Sequence, residues 1–461
     1  MSGAQSATAA ASQGKPKQPP LPLRTCLAWG AGTIAVAALF NSVNVLLLRY
    51  AVDYAGIGAA LAGALIAGSK VYDAIIDPII GGASDRSRSR HGRRRPYVLA
   101  GGLLMAVAAL LLFNIPDFAN GTLTAAFFIF ALLFYATAYA TYSVPYMAMP
   151  AEMTSSYHER SRLISFRVAG VAIASMLAVF VGPVLMESVG GGQAGHTALS
   201  VFLSAIIVIA TLFCFYGTRD APHHSAEGTP RLGVAEKLRL LAANRPFVIL
   251  IIVKLLQLLA LAVTQASLPF LFNRILKLDD AALGLYFLVF YGAMIIVQPL
   301  WVRAARLRGK RDIYIAATLI YGLIYLSWYF VTETEPLALV YLRAAALGAT
   351  GGAVLLLGQS LLPDTMEWDY RQTGLRREGM LSAVYTIVEK VAFALGAAFT
   401  GLLLGQAGYI QGTAGAAEVQ PDSAIAAIYW LASFIPLGFL LLSIVALLFY
   451  HLTPEQLGET D

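Results

Sequence analysis

Long apolar stretches recur along the whole chain and are separated by short polar segments. Twelve of these stretches are long enough to cross a bilayer, because a helix of about 20 predominantly apolar residues spans its hydrocarbon core. The predicted spans are 26–50, 55–83, 97–115, 123–148, 163–187, 196–217, 246–272, 281–303, 312–331, 337–362, 379–405 and 424–451. The pattern predicts an all-α membrane protein with twelve transmembrane helices.

The longest polar interruption between spans divides them into two sets of six. Two equal sets are the pattern of membrane folds whose halves are related by an axis along the membrane normal. The predicted organisation is a disordered cytoplasmic tail over 1–24, an N-terminal half over 25–217, a cytoplasmic linker over 218–245, a C-terminal half over 246–451 and a cytoplasmic tail over 452–461.

Composition supports the membrane assignment. Hydrophobic residues make up 58% of the 461 residues and charged residues only 13%, against about 45–50% and about 25% in soluble domains. The net charge of +6 lies in loops, which indicates topology and not a nucleic-acid partner. The polar N-terminus up to about Pro22 has no apolar segment with a cleavage site, so it is not a signal peptide.

The distribution of arginine and lysine predicts the orientation. Loops placed inside contain RSRSRHGRRR, HERSR, RAARLRGKR and YRQTGLRRE, whereas loops placed outside lack both residue types except at Arg274 and Lys277, which lie beside Asp279 and Asp280. Both termini are therefore predicted to be cytoplasmic. The short loops and the Ala-, Gly- and Arg-rich composition suit a multi-pass protein of a bacterial inner membrane.

The chain shows none of the patterns of an enzyme or a metalloprotein. Its two cysteines, Cys26 and Cys214, fall at predicted helix ends and suggest neither a disulfide nor a metal site. The six histidines show no ligand spacing, and no nucleophile triad or phosphate loop is present. We expect a non-enzymatic monomer without a cofactor.

Two aspartates, Asp73 and Asp77, lie inside the second span. A spacing of four residues places both on one helix face, roughly 6 Å apart along the axis. Asp73 precedes the loop residue Asp85 by twelve residues, which is about 18 Å at a rise of ~1.5 Å per residue and close to the midplane. Each carboxylate costs about 2.5–3.5 kcal/mol at that depth, which favours a functional role.

The aspartate pair predicts a cation site. Two close carboxylates in a low dielectric resist double ionisation, so the pair would take up H⁺ or Na⁺ readily. The alternative is a structural ion pair, for example between Asp73 and Lys70, which lies one turn earlier.

Lys390 is the matching intramembrane charge of the second half, twelve residues beyond Glu378 at the start of its helix. At equal depth, it is predicted to face Asp73 or Asp77 across the cleft between the halves. A bound ion would then compete with the ammonium group for the carboxylates, which is a physical route to coupling.

Glu389 is adjacent to Lys390 and points about 100° away from it on the helix. Two interpretations stay open at this residue. One is a role in transport, and the other is an ion pair with an intramembrane cation such as Arg343 or Lys254.

Several other polar residues fall within spans and are candidates for a substrate cavity. Aromatic faces suit sugar rings or lipids, although packing is the alternative for any single tyrosine. For Arg167 the alternatives are snorkelling and phosphate contact. The substrate-cavity candidates are Arg167, Tyr139, Tyr142, Ser143, Asn41, Gln359 and Glu389. Arg49 and Arg343 lie near the outer ends of their spans, as gate or snorkelling residues.

Three dispersed motifs resemble those of the glycoside-pentoside-hexuronide:cation symporters, a family typified by the melibiose permease. They are DAIIDPIIGGASDRSRSRHGRRRP (73–96), ERSRLISFR (159–167) and DTMEWDYRQTGLRREGMLSAVYTIVEK (364–390). The resemblance covers essentially the whole chain and implies the major facilitator fold. It implies that Asp73 and Asp77 bind the coupling cation and that Lys390 links the ion and sugar sites. It also implies a cavity role for Arg167 and a cytoplasmic gate formed by Asp85, Arg86, Arg90, Arg93 and Arg95.

The chain departs from the permease at four informative positions. Ile76 and Ala140 replace an asparagine and a threonine, which are neutral oxygen donors that Na⁺ needs and H⁺ does not. Ala37 and Ser143 stand where the permease has sugar-binding aspartates. The first two departures favour H⁺ over Na⁺, and the last two argue against galactoside recognition of the permease type.

The sequence thus predicts a cation-coupled symporter that works by alternating access on a glycoside, an oligosaccharide or a sugar acid. One alternative is a symporter of a lysolipid or another amphiphile. The other is a receptor or assembly factor on the same fold that does not transport and does not need its intramembrane charges.

Overall fold

The computed structural model describes residues 20–154, 157–221, 244–374, 378–412 and 419–452. Within these ranges the elements are helices, most of them spans of the membrane. We number the spans α1 to α12, and each label covers all segments of its span.

The first six spans are α1 (Leu23–Ser42, Val43–Leu47 and Tyr50–Tyr54), α2 (Ala59–Arg86), α3 (Arg95–Phe113), α4 (Gly121–Met153), α5 (Tyr157–Met176, Leu177–Val181 and Gly182–Ser188) and α6 (Gly192–Gly217). The second six are α7 (Arg245–Phe270 and Leu271–Ile275), α8 (Asp280–Ile296 and Gln298–Arg308), α9 (Lys310–Leu326 and Ser327–Phe330), α10 (Leu337–Thr373), α11 (Glu378–Gln406) and α12 (Asp422–Ala432 and Phe434–Leu448).

In the described part of the chain, eleven helices are long and apolar enough to cross a membrane, and there are twelve if the two segments of α8, bent by 43°, form one span. This confirms the twelve predicted spans. The predicted tails and linker lie mostly outside the described residues, so the domain limits stay predictions.

Two helices run further than their apolar cores predict. α4 ends at Met153 and α10 at Thr373, whereas the predicted spans end at 148 and 362. The added part of α10 is polar, and that of α4 contains Glu152, so helical hydrogen bonding continues beyond the apolar segment in both. The helix α2 likewise continues through Pro78 to Arg86.

Side-chain caps set the start of several spans, because the first N–H groups of a helix lack partners within it. Asn244 accepts a hydrogen bond from the N–H of Phe247 at the start of α7, and Asp279 accepts one from Ala282 at the start of α8. Asp279 was noted in the sequence only as an acid beside two basic residues, and the cap is its local role.

The halves meet through small residues. A Cβ atom on Gly63 of α2 would lie 2.8 Å from the carbonyl oxygen of Ala397 in α11, and one on Gly401 would lie 2.4 Å from that of Ala59. Glycine at these positions therefore allows the two backbones to approach closely. This contact brings the charged parts of α2 and α11 together.

The two faces of the molecule are distinguished by their connections. We call the face with the loop 87–94 the linker face, because the described ends of the two halves at 221 and 244 also lie there. The opposite face, with the segments 55–58, 276–279, 407–412 and 419–421, is the far face. The sequence predicts that the linker face is cytoplasmic.

Candidate functional site

Asp73 lies in a buried ion pair on α2. Its residue is 2% exposed, and Oδ2 lies 3.4 Å from Nζ of Lys70, one turn earlier. Lys70 also lies over the ring of Tyr135, with Nζ 5.0 Å from the ring centroid. Oδ1 of Asp73 is buried and makes no hydrogen bond to the described residues. The structural pair with Lys70 is therefore present, and it uses only one oxygen of the carboxylate.

Asp77 is paired across the two halves. Nζ of Lys390 in α11 donates a hydrogen bond to its Oδ2 at 2.5 Å, and the side chains are 29% and 25% exposed for the lysine and the aspartate. Oδ1 of Asp77 is buried and makes no hydrogen bond to the described residues. The geometry confirms that Lys390 faces one of the two aspartates and identifies it as Asp77.

Glu389 is paired within its own half. Its Oε2 lies 3.6 Å from Nζ of Lys254 in α7. Arg343, the other cation considered for this role, instead pairs with Glu335 near the far face and lies over the ring of Trp328. Of the two predicted partners, Lys254 is the one observed.

Aromatic side chains border the Lys390–Asp77 pair. Nζ of Lys390 lies 5.8 Å from the ring centroid of Tyr139 in α4. The ring of Phe40 in α1 lies 6.3 Å from Tyr139 and meets Phe393 of α11 edge to face at 5.3 Å. An aromatic contact between the halves therefore lies one turn from Lys390 on α11.

Arg167 is a half-buried cation at the same level. It forms no salt bridge with the described residues, yet the hydroxyl of Tyr139 lies within electrostatic range of Arg167, Asp73, Asp77 and Glu389. These five residues, predicted separately from four different spans, thus include one tyrosine and four charged groups within electrostatic range of it.

The remaining cavity candidates are less uniform. Asn41 donates a hydrogen bond to Ser175 at 3.1 Å, Ser143 is half-buried, and Gln359 is exposed. Tyr142 lies apart from this region. It is fully buried, and its hydroxyl donates to the carbonyl oxygen of Gly32 at 2.9 Å. Packing inside the N-terminal half, the alternative for any tyrosine of this span, therefore describes Tyr142.

Three of the predicted gate residues are held by the N-terminal half. Arg94 pairs with Asp85 and, at 2.9 Å, with Glu152 of α4, which also pairs with Arg93 at 2.5 Å. Arg95 donates to the carbonyl oxygen of Phe215 at the end of α6.

The other two gate residues, Arg86 and Arg90, are exposed. The described contacts of the loop between α2 and α3 thus fasten it to its own half.

The far face carries a buried ionic cluster that joins the halves. Asp53 of α1 lies 3.2 Å from Arg274 of α7, accepts a hydrogen bond from Tyr409 at 2.9 Å and lies 3.7 Å from Arg49. Arg49 also pairs with Asp280 of α8. We call these five residues the far-face latch. A gate role was among the predictions for Arg49, but Asp53 and Tyr409 were missed, and Arg274 and Asp280 were noted only for the charge rule.

Part of the latch was visible in the sequence. Arg274 breaks the predicted absence of basic residues from the far face, and Arg49 and Asp53 are spaced by four residues on one helix. A basic residue such as Arg274 on the side where basic residues are rare, with acids nearby, indicates an ion pair. Its partner Asp53 lies 221 positions earlier in the sequence, so the pairing itself was not visible.

Comparison with known proteins agrees with this architecture. A family model described as MFS/sugar transport protein matches residues 28–454. The chain belongs to the MFS/sugar transport protein family. It is thus a membrane transporter and not an enzyme, and its homologues carry the names of symporters.

Relatives resemble the transporter over nearly their full length. An uncharacterized symporter of Synechocystis sp. is 29% identical, with 93% of this chain and 94% of the relative covered. A glucuronide carrier protein homolog of Escherichia coli is 28% identical, with 95% and 94% covered. The crystal structure of a bacterial homologue of the human lysosomal transporter Spinster, inward-facing and unoccupied, matches with a TM-score of 0.67 at 14% identity over 95% and 98% of the chains. This last match shows the fold.

Proposed function

We propose that the transporter is a secondary symporter that couples the movement of H⁺ to that of a glycoside, an oligosaccharide or a sugar acid by alternating access. The observation that carries the proposal is the pair of aspartates on α2, each with one oxygen on a lysine and one buried oxygen without a hydrogen bond to the described residues. Buried polar atoms are normally satisfied, so these two oxygens indicate a ligand-binding role.

Coupling follows from the position of the Asp77–Lys390 pair between the halves. While Asp77 is ionised, the pair fastens α2 to α11. Protonation of Asp77 removes the negative charge and frees Lys390, so the relative position of the halves depends on whether the ion is bound. The ammonium group is then available to a substrate in the same region.

The surroundings of the aspartates favour a proton. Sodium needs several oxygen ligands, and the positions that could add neutral donors are Ile76 and Ala140. Both carboxylates also already lie beside lysines. A proton needs only one of the unbonded oxygens.

Arg167 favours a substrate with an acidic group. The three lysines of this region each have one carboxylate partner, whereas Arg167 has no salt bridge among the described residues. A substrate carboxylate could pair with it bidentately. A relative named as a glucuronide carrier homolog gives independent support for a sugar acid.

The test is uptake into proteoliposomes that hold the purified transporter. A proton gradient directed inward, with the outside acidic, should drive accumulation of methyl β-D-glucuronide. Asp77→Asn, Asp73→Asn and Lys390→Ala should each abolish accumulation of the glucuronide against its own concentration gradient. Glu187→Gln is the matched control, because Glu187 is exposed at the end of α5. Full accumulation by the aspartate and lysine variants would show that these charges do not carry the coupling. Absence of uptake by the wild type for every sugar tested would support the receptor alternative.

The coupling ion is tested separately at fixed pH. Uptake should be the same in Na⁺ and K⁺ media, and Ile76→Asn should introduce a dependence on Na⁺ by adding an oxygen donor between the aspartates. A wild-type requirement for Na⁺ would show that the proton assignment is wrong.

A further inference from the structure

The carboxylate of Glu389 lies on the inner side of α11. At 100° per residue, the exposed apolar residues Ile387, Val391 and Leu395 form one stripe of this helix. Glu389 lies about 200° from Ile387, on the side that packs toward α7 and the cleft. Its side chain is nevertheless 47% exposed. The exposed part of Glu389 therefore faces the region between the halves and not the lipid.

Lys254 pairs with Glu389 from a more buried position on α7. Its side chain is only 11% exposed, and its Nζ donates to the carbonyl oxygen of Tyr385 at 2.7 Å and lies 3.3 Å from the centroid of that ring. These contacts fix the ammonium group against one turn of α11. A buried lysine needs a nearby carboxylate, which explains why Glu389 is there.

Neutralisation of Lys254 does not explain the exposure of Glu389. In a purely structural pair both side chains can be buried, whereas here the side chain of Lys254 is buried and that of Glu389 is exposed. Across the cleft, Glu389 acts on the same tyrosine hydroxyl as Arg167. The region thus has an anionic acceptor on the C-terminal half and, on the N-terminal half, a cation without a salt bridge to the described residues.

We propose that Glu389 is a specificity-determining residue that accepts hydrogen bonds from substrate hydroxyl groups, with Lys254 as its positioning residue. The substrate class is then a polyhydroxylated monoanion, with its acidic group on Arg167 and hydroxyls on Glu389. A neutral amphiphile cannot use both groups. This inference rests on the proposed transport function.

Binding to the purified full-length transporter tests the assignment. Affinities for methyl β-D-glucuronide and for its 2-, 3- and 4-deoxy analogues are measured by calorimetry in wild type, Glu389→Leu and Glu187→Gln. Loss of a charge-assisted hydrogen bond should weaken glucuronide binding by about ten- to hundredfold in Glu389→Leu. At least one deoxy analogue should show no further loss in that variant, which identifies the hydroxyl that Glu389 accepts.

Lys254 is tested by rescue. Lys254→Met should weaken binding of the glucuronide and erase the discrimination against that deoxy analogue, and Lys254→Arg should restore both. A lysine with a merely structural role would not change which hydroxyl is sensed. Wild-type elution in size-exclusion chromatography checks that the variants are folded.

The outcomes separate the two levels of the proposal. If the wild type binds the glucuronide and the Glu389 variants bind it and all deoxy analogues as well as wild type does, the assignment of Glu389 is overturned and proton-coupled transport stands. If the wild type binds neither this probe nor any sugar acid in a panel, the sugar-acid function and the assignment both fail.

Discussion

The far-face latch and the lysine pairs at the midplane both join charges inside the membrane, but their connectivity differs. In the latch, Asp53 has three partners, which lie on α1, on α7 and in the loop after α11, and its residue is almost fully buried. Among the described residues, Asp73 and Asp77 each have one lysine partner and one oxygen without a hydrogen bond.

This difference in the number of partners distinguishes a cluster suited to hold helices together from one suited to bind a ligand. A carboxylate with several fixed donors stabilises a single arrangement of helices, because every partner is lost when the helices part. A carboxylate with a single partner and a free oxygen can exchange that partner for a proton or a ligand. On the proposed function, the latch favours closure of the far face, whereas the Asp73–Lys70 and Asp77–Lys390 pairs respond to the coupling ion.

The strongest way to break the comparison is Asp53→Asn. The buried guanidinium of Arg274 would then have no carboxylate partner among the described residues, which costs about 3–5 kcal/mol in the closed state. We expect a reporter cysteine between the halves, Ser175→Cys, to react about a hundredfold faster with an impermeant maleimide added at the far face. The control is Asp117→Asn, an exposed acid on that face. Equal rates in the two variants would show that the latch does not hold the face closed.

For the Asp73–Lys70 pair on α2, we expect that a second substitution restores stability but does not restore transport. Asp73→Asn leaves Lys70 buried without its carboxylate and should lower the free energy of unfolding by about 3 kcal/mol. Adding Lys70→Met should recover most of that loss, since apolar replacement of a buried pair is often neutral. Thermal unfolding and gradient-driven uptake are measured together. Recovery of uptake in the double variant would mean that Asp73 is structural.

The sequence predicted the spans and the midplane charges because both depend on local rules. The length of an apolar segment predicts a span, and a charged residue in the middle of such a segment is easily recognised in the sequence, as at Asp73 and Lys390. The choice of Asp77 over Asp73 as the partner of Lys390 depends on the rotation of two helices, which periodicity does not specify. The latch was largely missed because its members come from three separate spans and a loop and lie near helix ends, where charges are ordinary. Tyr142 was grouped with its neighbours because one chain does not show which helix face meets the cleft.

A smaller effect is expected from Tyr409→Phe, which tests whether geometry as well as charge holds the latch. The hydroxyl donates to Asp53 and accepts from Nε of Arg274 at 2.9 Å. Its loss leaves charged groups partly unsatisfied, at a cost of about 1–3 kcal/mol. The maleimide rate at Ser175→Cys should rise about tenfold, and Tyr341→Phe serves as control. A response as large as that of Asp53→Asn would indicate a general loss of packing.

The smallest effect should come from an ion pair that lies on the far face but is exposed. Lys277 pairs with Glu333 with side chains 68% and 53% exposed. Exposed pairs contribute about 0–1 kcal/mol, because water and salt screen them. Lys277→Ala should therefore leave the maleimide rate and the unfolding temperature within error of wild type at 0.15 M salt. A change comparable to that of Tyr409→Phe would mean that position on the far face matters and burial does not, and the contrast between the latch and its surroundings would then lose its physical basis.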